Sequence, residues 1–340
     1  MRAIQFEEPY KIRSVQVKAP AAPGPGEALV KTHSVGICGT DASAYRGTFP
    51  FFDFPRIPGH ELGVEVVSVG EGVTDVAAGD TCSVEPYLNC GNCYACNKGR
   101  SNCCEDLSVV GVMQDGGLRD YFKIRSDKLH KANNLTFDQL ALTETLTIGC
   151  HASTRAAPTA KDQLLIIGLG PIGLAALEFV RLRTSNITVM DRIESRIDFC
   201  KETYGPVGTI VAGEGTETEQ IRNRSNGQMF DVVIDATGSP QSMTTALTYA
   251  SQGGSVIFLG LSRHDINFSQ PEMHRRELTL IATRNALPDD FRTVINAISD
   301  GTIDTAPWIT HRIPFAEVEQ RFGTVIQPDS GVLKAVIRMV

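Results

Sequence analysis

The chain has 340 residues, of which 42% are hydrophobic and 21% charged, and its formal net charge is −7. The length allows about two domains, and the acidic balance argues against nucleic acid and anionic membranes as partners. The sequence contains no apolar run near the ~18 residues of a membrane span, and residues 1–9 lack a basic segment followed by an apolar one. We therefore expect a soluble cytoplasmic protein.

The first part of the chain, to about residue 130, alternates short strands with turns rich in glycine and proline. This alternation predicts a small β-barrel or a partly open β domain. The predicted strands are Met1–Gln5, Ala28–His33, Gly63–Gly70, Asp80–Val84 and Gly117–Ile124.

A cysteine-rich segment interrupts this domain. Of the nine cysteines, Cys90, Cys93, Cys96, Cys103 and Cys104 lie close together. In a reducing compartment such a cluster indicates metal binding rather than disulfides. The spacing Cys90-x2-Cys93-x2-Cys96-x7-Cys104 offers four thiolates to one tetrahedral zinc ion with no open position for chemistry. We expect a structural zinc site here, with Cys103 as a spare sulfur.

From Asp162 the pattern changes to alternating strands and helices. The predicted strands are Gln163–Ile167, Ile187–Asp191, Thr209–Val211, Asp231–Ala236, Ser255–Leu259 and Leu278–Ala282, and the predicted helices are Ile172–Arg183, Glu194–Thr203 and Pro240–Ala250. The alternation predicts an α/β domain with a doubly wound parallel sheet. After Asn285 we expect a helix over Asp289–Ser299, and the strands Thr310–Pro314 and Lys334–Met339 are expected to return to the first domain.

A glycine-rich turn opens this second domain. The apolar run Leu164–Ile167 reads as a strand buried on both faces, and Gly168-x-Gly170-x-x-Gly173 follows it directly. The glycines permit a sharp turn and a close approach of pyrophosphate, and the next helix offers its N–H groups to the phosphates. Asp191 ends the next apolar run at about the required ~20-residue offset. The segment therefore predicts a dinucleotide site.

A second candidate metal set is dispersed over the chain as Cys38, His60, Glu61 and Glu144. Spacing alone does not single it out, because an isolated cysteine is usually a small buried apolar residue. A catalytic zinc needs three such protein ligands and an open fourth position.

Four motifs together resemble a known family. They are Gly36-Ile-Cys-Gly-Thr-Asp41, Gly59-His60-Glu61, the four-cysteine loop and Gly168-Leu-Gly-Pro-Ile-Gly173. The whole chain resembles the zinc-dependent medium-chain alcohol and polyol dehydrogenases, most closely the sorbitol and threonine dehydrogenase branch. The resemblance implies a GroES-like β-barrel catalytic domain, residues 1–149 and 287–340, interrupted by a Rossmann domain at residues 150–286. In this family the active site lies in the cleft between the two domains.

The resemblance also implies two zinc ions per subunit. Cys38 and His60 match the first two ligands of a catalytic zinc, Glu144 occupies the place of the third, and Glu61 can enter or leave the zinc shell. Cys90, Cys93, Cys96 and Cys104 match the structural zinc ligands. Thr145 stands where the related branch has proline, and Val64 stands where the family usually has glycine.

For the cofactor, Asp191 matches the acid that holds both adenosine ribose hydroxyls, which favours NAD over NADP, and Arg196 matches a basic residue near the adenosine. The cofactor residues implied by the resemblance are further Gly168, Gly170, Pro171, Ile172, Gly173, Thr237, Gly260, Leu261 and Arg284.

For catalysis, a zinc-bound alcohol ionises near neutral pH and gives hydride to the nicotinamide. The Thr40 hydroxyl is expected to pass the alcohol's proton towards solvent. Ser43 stands where some relatives have a histidine of the proton relay. Ser43 and Glu61 are the other two candidate catalytic residues. A glutamate in place of a thiolate makes the site more oxygen-rich, which suits a polyol, sugar or sugar-acid substrate. The family favours dimers and tetramers, often joined through the edges of the Rossmann sheets.

Three other functions stay open at this point. Two belong to the same family, a simple alcohol dehydrogenase and an NADP-linked carbonyl reductase. The third is of another class, a non-catalytic NAD-binding scaffold or sensor. The complete Cys38, His60 and Glu144 set argues against that last function.

Overall fold

A computed structural model describes residues 1–205, 207–328 and 330–339. The chain divides into two compact units, Met1–Thr145 with Leu287–Val340, and Leu146–Ala286. The domain boundaries implied by the resemblance, at 149/150 and 286/287, stay predictions. None of the helices in the described part of the chain is long and apolar enough to cross a membrane.

The strands are β1 (Arg2–Glu8), β2 (Lys11–Gln16), β3 (Glu27–Gly36), β4 (Glu61–Val69), β5 (Thr81–Val84), β6 (Tyr87–Leu88), β7 (Ser108–Val109), β8 (Tyr121–Arg125), β9 (Leu129–Lys131), β10 (Leu164–Ile167), β11 (Ile187–Asp191), β12 (Gly208–Val211), β13 (Phe230–Asp235), β14 (Ala250–Phe258), β15 (Thr279–Ala282), β16 (Ile309–Pro314) and β17 (Lys334–Arg338).

The α-helices are α1 (Gly39–Tyr45), α2 (Tyr94–Asn97), α3 (Phe137–Ala156), α4 (Pro171–Val180), α5 (Glu194–Tyr204), α6 (Glu217–Arg224), α7 (Pro240–Tyr249), α8 (Gln270–Arg276), α9 (Pro288–Ser299) and α10 (Val318–Val325). Short 3-10 turns occur at Ser101–Cys103, Ser126–Lys128, Ala306–Trp308 and Phe315–Glu317.

The first unit is built on a seven-stranded sheet in the order β16-β17-β3-β4-β5-β9, and β8 also pairs with β3. All pairs are antiparallel except β16 with β17. Alternate residues of β3 point into a buried core, as expected for a sheet with one covered face. Because β17 lies directly beside β3, the predicted return of the last two strands to this domain is confirmed.

Aromatic side chains fill part of this core. The ring of Phe6 lies 5.2–6.1 Å from those of Phe322, Phe52 and Tyr45. Phe6 and Phe322 are fully buried. Arg46, next to Tyr45, donates to the Ile326 carbonyl at 2.7 Å. This cluster therefore ties the segment that follows Cys38 to α10.

The second unit is a six-stranded sheet in the order β12-β11-β10-β13-β14-β15, and every pair is parallel. Helices connect the successive strands, and the strand order reverses between β10 and β13. Such a reversal leaves a crevice at the carboxyl ends of these strands, where nucleotides bind in folds of this kind. The prediction of a doubly wound parallel sheet is confirmed.

Candidate active site

Cys38 is placed by the end of β3 and the start of α1. It is the extended residue that precedes the helix, and its N–H donates to the Asp41 carboxylate at 2.9 Å. Asp41 itself is buried. The carboxylate thus fixes the short turn that carries the cysteine, which explains the aspartate three residues after it.

His60 and Glu61 stand at the start of β4, where two glycines make room for them. Gly59 has a φ of +101°, and a Cβ there would lie 2.9 Å from the Leu118 nitrogen. Gly36 is paired with Glu61 across the β3–β4 ladder, and a Cβ on Gly36 would overlap the Glu61 carboxylate. Gly36 therefore gives space to the Glu61 carboxylate, and Gly59 lets the chain turn against the Leu118 backbone directly before His60.

Cys38, which is half-buried, forms a trio of potential ligands with the buried His60 and Glu61. One ligand atom each from Cys38, His60 and Glu61 lies within 4.8 Å of the others. His60 and Glu61 are 5% and 0% exposed. Sulfur, imidazole nitrogen and carboxylate oxygen are the donor types that zinc takes in proteins.

The electrostatics of the trio also suit a cation. Burial by itself would lower the pKa of His60, but the charges of Asp41, Cys38 and Glu144 raise this pKa well above its usual value. His60 Nδ1 lies 3.6 Å from Asp41 Oδ1, and neither atom has a hydrogen-bond partner among the described residues. A buried cluster that holds this much negative charge fits a divalent metal ion.

Lys334 and Thr145 hold Glu61, and sequence reasoning missed both. The buried ammonium of Lys334 donates to Glu61 Oε1 at 2.6 Å, and the Thr145 hydroxyl donates to the same oxygen at 2.8 Å. Although burial opposes ionisation of the carboxyl, Lys334 and His60 lower the pKa of Glu61. Lys334 is the one charged residue in an otherwise apolar run, Val332–Val336. A lysine in such a run is the sequence feature that could have indicated a buried ammonium.

Glu144 lies in α3 and is not a member of the Cys38–His60–Glu61 trio among the described residues. The buried hydroxyl of Tyr87 donates to its Oε1. Burial raises the pKa of Glu144 to about 6. Because the charge of Glu144 also acts on His60, the two side chains belong to one electrostatic cluster. Its predicted role as the third ligand stays a prediction.

The two residues predicted to carry protons lie in α1. Thr40 is half-buried and stands two residues after Cys38, as expected. Ser43 is also half-buried, and its carbonyl accepts the N–H and the hydroxyl of Thr48 at 2.8 and 3.0 Å. The roles of both hydroxyls in proton transfer stay predictions.

The four-cysteine loop brings its sulfurs together as predicted from the spacing. Ligand atoms of Cys90, Cys93, Cys96 and Cys104 lie within 4.8 Å of one another. The N–H of Cys93 donates to Cys90 Sγ at 3.3 Å, and backbone donors lower the pKa of Cys93 to about 6. Cys103 is exposed and is not a member of this group. The loop can bind one tetrahedral metal ion.

The cofactor candidates of the second unit gather at the carboxyl ends of its strands. Gly168 has a φ of +88°, and a Cβ on Gly173 would overlap the Gly168 carbonyl. Asp191 accepts the Leu169 N–H at 2.6 Å and the Ile193 N–H at 2.9 Å, which fixes it beside the glycine turn. Arg196 Nη1 lies 3.7 Å from Asp191 Oδ2.

The remaining candidates follow the neighbouring strands. A Cβ on Gly168 would lie 2.9 Å from the Thr237 methyl, and one on Gly260 would overlap the Gly238 nitrogen. Leu261 is 62% exposed beside Gly260, and Arg284 is exposed after β15. Gly170 precedes α4, and Pro171, Ile172 and Gly173 form its first turn.

Comparisons with known proteins agree with this arrangement. Residues 24–134 match the family description "Alcohol dehydrogenase GroES-like domain", and residues 171–300 match "Zinc-binding dehydrogenase". These matches confirm the predicted fold class of a GroES-like domain combined with a Rossmann-type α/β domain.

Individual relatives cover nearly the whole chain. The chain is 35% identical to an L-galactonate-5-dehydrogenase of Escherichia coli K12, over 99% of this chain and 98% of that protein. It is 32% identical to a D-altritol 5-dehydrogenase of Agrobacterium fabrum C58, over 94% of each. The crystal structure of the alcohol dehydrogenase RspB from E. coli CFT073, complexed with NADH, superposes with a TM-score of 0.92 at 29% identity and covers 99% of both chains.

Proposed function

Because this chain belongs to the family of zinc-binding alcohol and polyol dehydrogenases, we propose that it transfers hydride between NAD and a secondary alcohol group of a polyol, sugar or sugar acid. The observation that carries the proposal is the Cys38–His60–Glu61 trio, whose donor types and negative charge suit zinc. The relatives that act on L-galactonate and D-altritol support the substrate class by their names.

The residues that would hold the catalytic zinc are Cys38 and His60, with a carboxylate from Glu144 or Glu61. The four-cysteine loop would hold a second, structural zinc. When bound, the catalytic zinc acts as a Lewis acid on the alcohol oxygen, and NAD accepts the hydride. The Thr40 hydroxyl would accept the alcohol's proton while it gives its own proton to Ser43, which would extend the path towards solvent. A carboxylate among the ligands makes the centre compatible with the neighbouring hydroxyl groups of a polyol.

The most informative test of the substrate class is a panel of alditols, aldonates and simple alcohols, with NADH formation and zinc content measured in parallel. We expect turnover with polyhydroxylated substrates and two zinc ions per chain. Preference for simple alcohols would show that the substrate class is wrong. Zinc-free protein with full turnover would show that the mechanism is wrong, and tight NAD binding without turnover would favour the scaffold alternative.

We propose NAD as the cofactor because Asp191 is positioned beside the glycine turn, where its carboxylate accepts the ribose hydroxyls and repels a 2′-phosphate. Asp191→Ala removes a charged hydrogen-bond acceptor, which is worth about 1.5–3 kcal/mol. We therefore expect kcat/KM for NAD to fall by at least about 10-fold, with NADP less affected. The measurement is steady-state kinetics with both cofactors.

Asp198→Ala is the matched control, because this exposed aspartate forms an ion pair with the surface residue Lys201. Its cofactor preference is expected to equal that of the wild type. A wild type that prefers NADP would favour the NADP-linked alternative instead.

We also propose a homo-oligomer, a dimer or tetramer, that forms along β15. This strand lies at one edge of the parallel sheet, and its Leu280 is 37% exposed. Phe268 and Met273 line an adjacent groove of about 690 Å³. An exposed apolar strand edge favours pairing with a second copy. Light scattering of the wild type and of Leu280→Lys tests the interface, because the substitution should lower the oligomeric mass. An oligomer of unchanged mass would show that the interface does not involve β15.

We propose the cytoplasm as the location of the protein. The nine cysteines are unpaired in the part of the chain that the structure describes, as expected for a reducing compartment.

A further inference from the structure

Two polar atoms without partners lie directly after β15. Thr283 Oγ1 and Asn285 Nδ2 are buried, and neither has a hydrogen-bond partner among the residues that the structure describes. Buried polar side chains in folded proteins are almost always hydrogen-bonded. Two exceptions on either side of Arg284 therefore indicate a place where a molecule from outside the chain supplies the missing partners.

These residues belong to the edge of the parallel sheet that carries the cofactor candidates. The N–H of Thr283 donates to the Phe258 carbonyl at 3.1 Å, so Thr283 follows β15 beside the end of β14. The N–H of Leu259 in turn donates to the Asp235 carbonyl, at the end of β13, at 2.9 Å. Thr283 and Asn285 therefore follow the carboxyl ends of the strands, in the same unit as the glycine turn.

The backbone at Asn285 makes a defined turn. Asn285 has a φ of +52°, in the left-handed region, which asparagine adopts more readily than most other residues. Ala286, the next residue, is fully buried. The amide of Asn285 is thus carried by a turn that ends on a packed residue, and this residue type suits the turn.

The direction of the cofactor follows from Asp191. As proposed above, this carboxylate holds the adenosine ribose at the end of β11, and the glycine turn after β10 holds the pyrophosphate. The nicotinamide half then extends to the other side of β10. In the strand order β12-β11-β10-β13-β14-β15, that side consists of the ends of β13, β14 and β15. Thr283 and Asn285 therefore lie on the nicotinamide side of the sheet.

The chemistry of the two atoms matches a carboxamide, which has one carbonyl acceptor and two N–H donors. The Nδ2 group of Asn285 can only donate, and the Thr283 hydroxyl can accept. We propose that Asn285 donates to the carbonyl oxygen of the nicotinamide carboxamide and that Thr283 accepts one of its N–H groups. The two bonds together fix the rotation of the nicotinamide ring. This inference rests on the proposed function, because it requires a bound nicotinamide cofactor.

The test compares NADH with ADP-ribose, which lacks the nicotinamide, by calorimetric titration of the zinc-loaded protein. Asn285→Asp keeps the size of the side chain and tolerates the positive φ, but it replaces the donor by an acceptor. A hydrogen bond between neutral groups contributes a factor of about 3 to 10 in affinity. We expect the Kd of NADH to rise by at least that factor. The Kd of ADP-ribose is expected to stay unchanged, which also shows that the variant is folded.

A cofactor analogue assigns the second bond. In reduced 3-acetylpyridine adenine dinucleotide a methyl group replaces the amide nitrogen, so this analogue keeps the carbonyl and loses the N–H donors. Thr283→Val is expected to weaken binding of NADH by about 3- to 10-fold and to leave binding of the analogue unchanged. Asn285→Gly is the second variant at its position, since glycine adopts the same φ without strain. It is expected to weaken binding of both.

Asn226→Asp and Thr279→Val are the matched controls. Asn226 also has a positive φ, of +50°, but it is exposed and precedes β13, at the amino ends of the strands. Thr279 is exposed at the start of β15. Both controls are expected to bind NADH, the analogue and ADP-ribose as the wild type does.

The outcomes distinguish this inference from the proposed function. Wild-type affinity for NADH in both Asn285 variants would overturn the inference, and so would a loss of ADP-ribose binding as large as the loss of NADH binding. Equal losses of NADH and analogue binding in Thr283→Val would contradict the bond of Thr283. Each of these results leaves the proposed function intact. A wild type that binds neither NADH nor ADP-ribose would overturn both.

Discussion

The two candidate metal centres of the first unit are built in opposite ways. In the four-cysteine loop all ligands are of one type and come from residues 90–104, and three of the four are at least partly exposed. The other centre collects sulfur, nitrogen and oxygen from separate segments, and its His60 and Glu61 are buried. A closed sulfur site contributes stability, whereas a mixed buried site performs chemistry and depends on its surroundings. Each of the following substitutions tests one side of this contrast.

The largest expected effect is that of Cys93→Ala on stability. Structural zinc in small domains binds with an apparent free energy of about 10–16 kcal/mol. When the site is broken, the folded state loses this stabilisation. We expect loss of one zinc ion, a lower Tm and rapid proteolysis within residues 90–104, with kcat kept in the folded fraction. Metal analysis and limited proteolysis measure this. Cys103→Ala is the control, because this neighbouring cysteine is exposed and outside the ligand group.

Cys38→Ala is expected to show the reverse pattern. Losing Lewis-acid stabilisation of the transition state lowers kcat/KM by about 10⁴-fold, or ~5.5 kcal/mol, while Tm changes little. Steady-state kinetics measure the loss of kcat/KM, and thermal unfolding measures Tm. Cys82→Ala, at a buried cysteine of β5, should keep its turnover. Wild-type turnover in Cys38→Ala would show that the centre at Cys38 does not perform the chemistry.

Lys334→Met tests the surroundings on which the mixed centre depends. It leaves Glu61 buried without its cation, and breaking a buried ion pair on one side costs about 3 kcal/mol or more. Urea unfolding of the metal-free protein measures this loss. The double variant with Glu61→Gln should regain most of the stability, and a single variant as stable as the wild type would show that the pair contributes nothing.

The smallest expected effect is that of Asp41→Asn, which weakens the carboxylate beside His60 Nδ1 but can keep the bond to the Cys38 N–H. We expect about 10-fold weaker zinc binding at this centre, or ~1.4 kcal/mol, and no change at the four-cysteine loop. Competition with a zinc indicator measures it. Asp53→Asn, at an exposed aspartate, is the control, and equal zinc affinities of the two variants would exclude a role for Asp41.

The fold was predictable wherever the pattern of residues is local. The apolar run Leu164–Ile167 and its glycine turn indicated β10, α4 and the parallel sheet, and the structure confirms them. Helix α3 was not predicted. Residues 140–147 of this helix are all buried, the polar ones included, so this stretch has no solvent-exposed face and its apolar residues show no helical period.

The same limit applies to the sites. The four cysteines could be assigned from spacing, whereas Cys38 and His60 emerged only through the family motifs. Lys334 and Tyr87 could not be found, because their importance lies in burial and in partners distant in sequence. Thr145 looked like a minor departure from the family pattern, yet its hydroxyl bonds to Glu61.

The position of β17 beside β3 has a consequence for how the protein matures in the cell. Lys334 lies 273 residues after Glu61, so at about 5–20 residues per second the ribosome adds it about 14–55 s later. During this interval the nascent chain has made Cys38, His60 and Glu61 but not the cation that neutralises Glu61. The central sheet of the first unit also lacks its last strand until then. The candidate metal centre therefore gains its neutralising cation only after the entire second unit, Leu146–Ala286, has been translated.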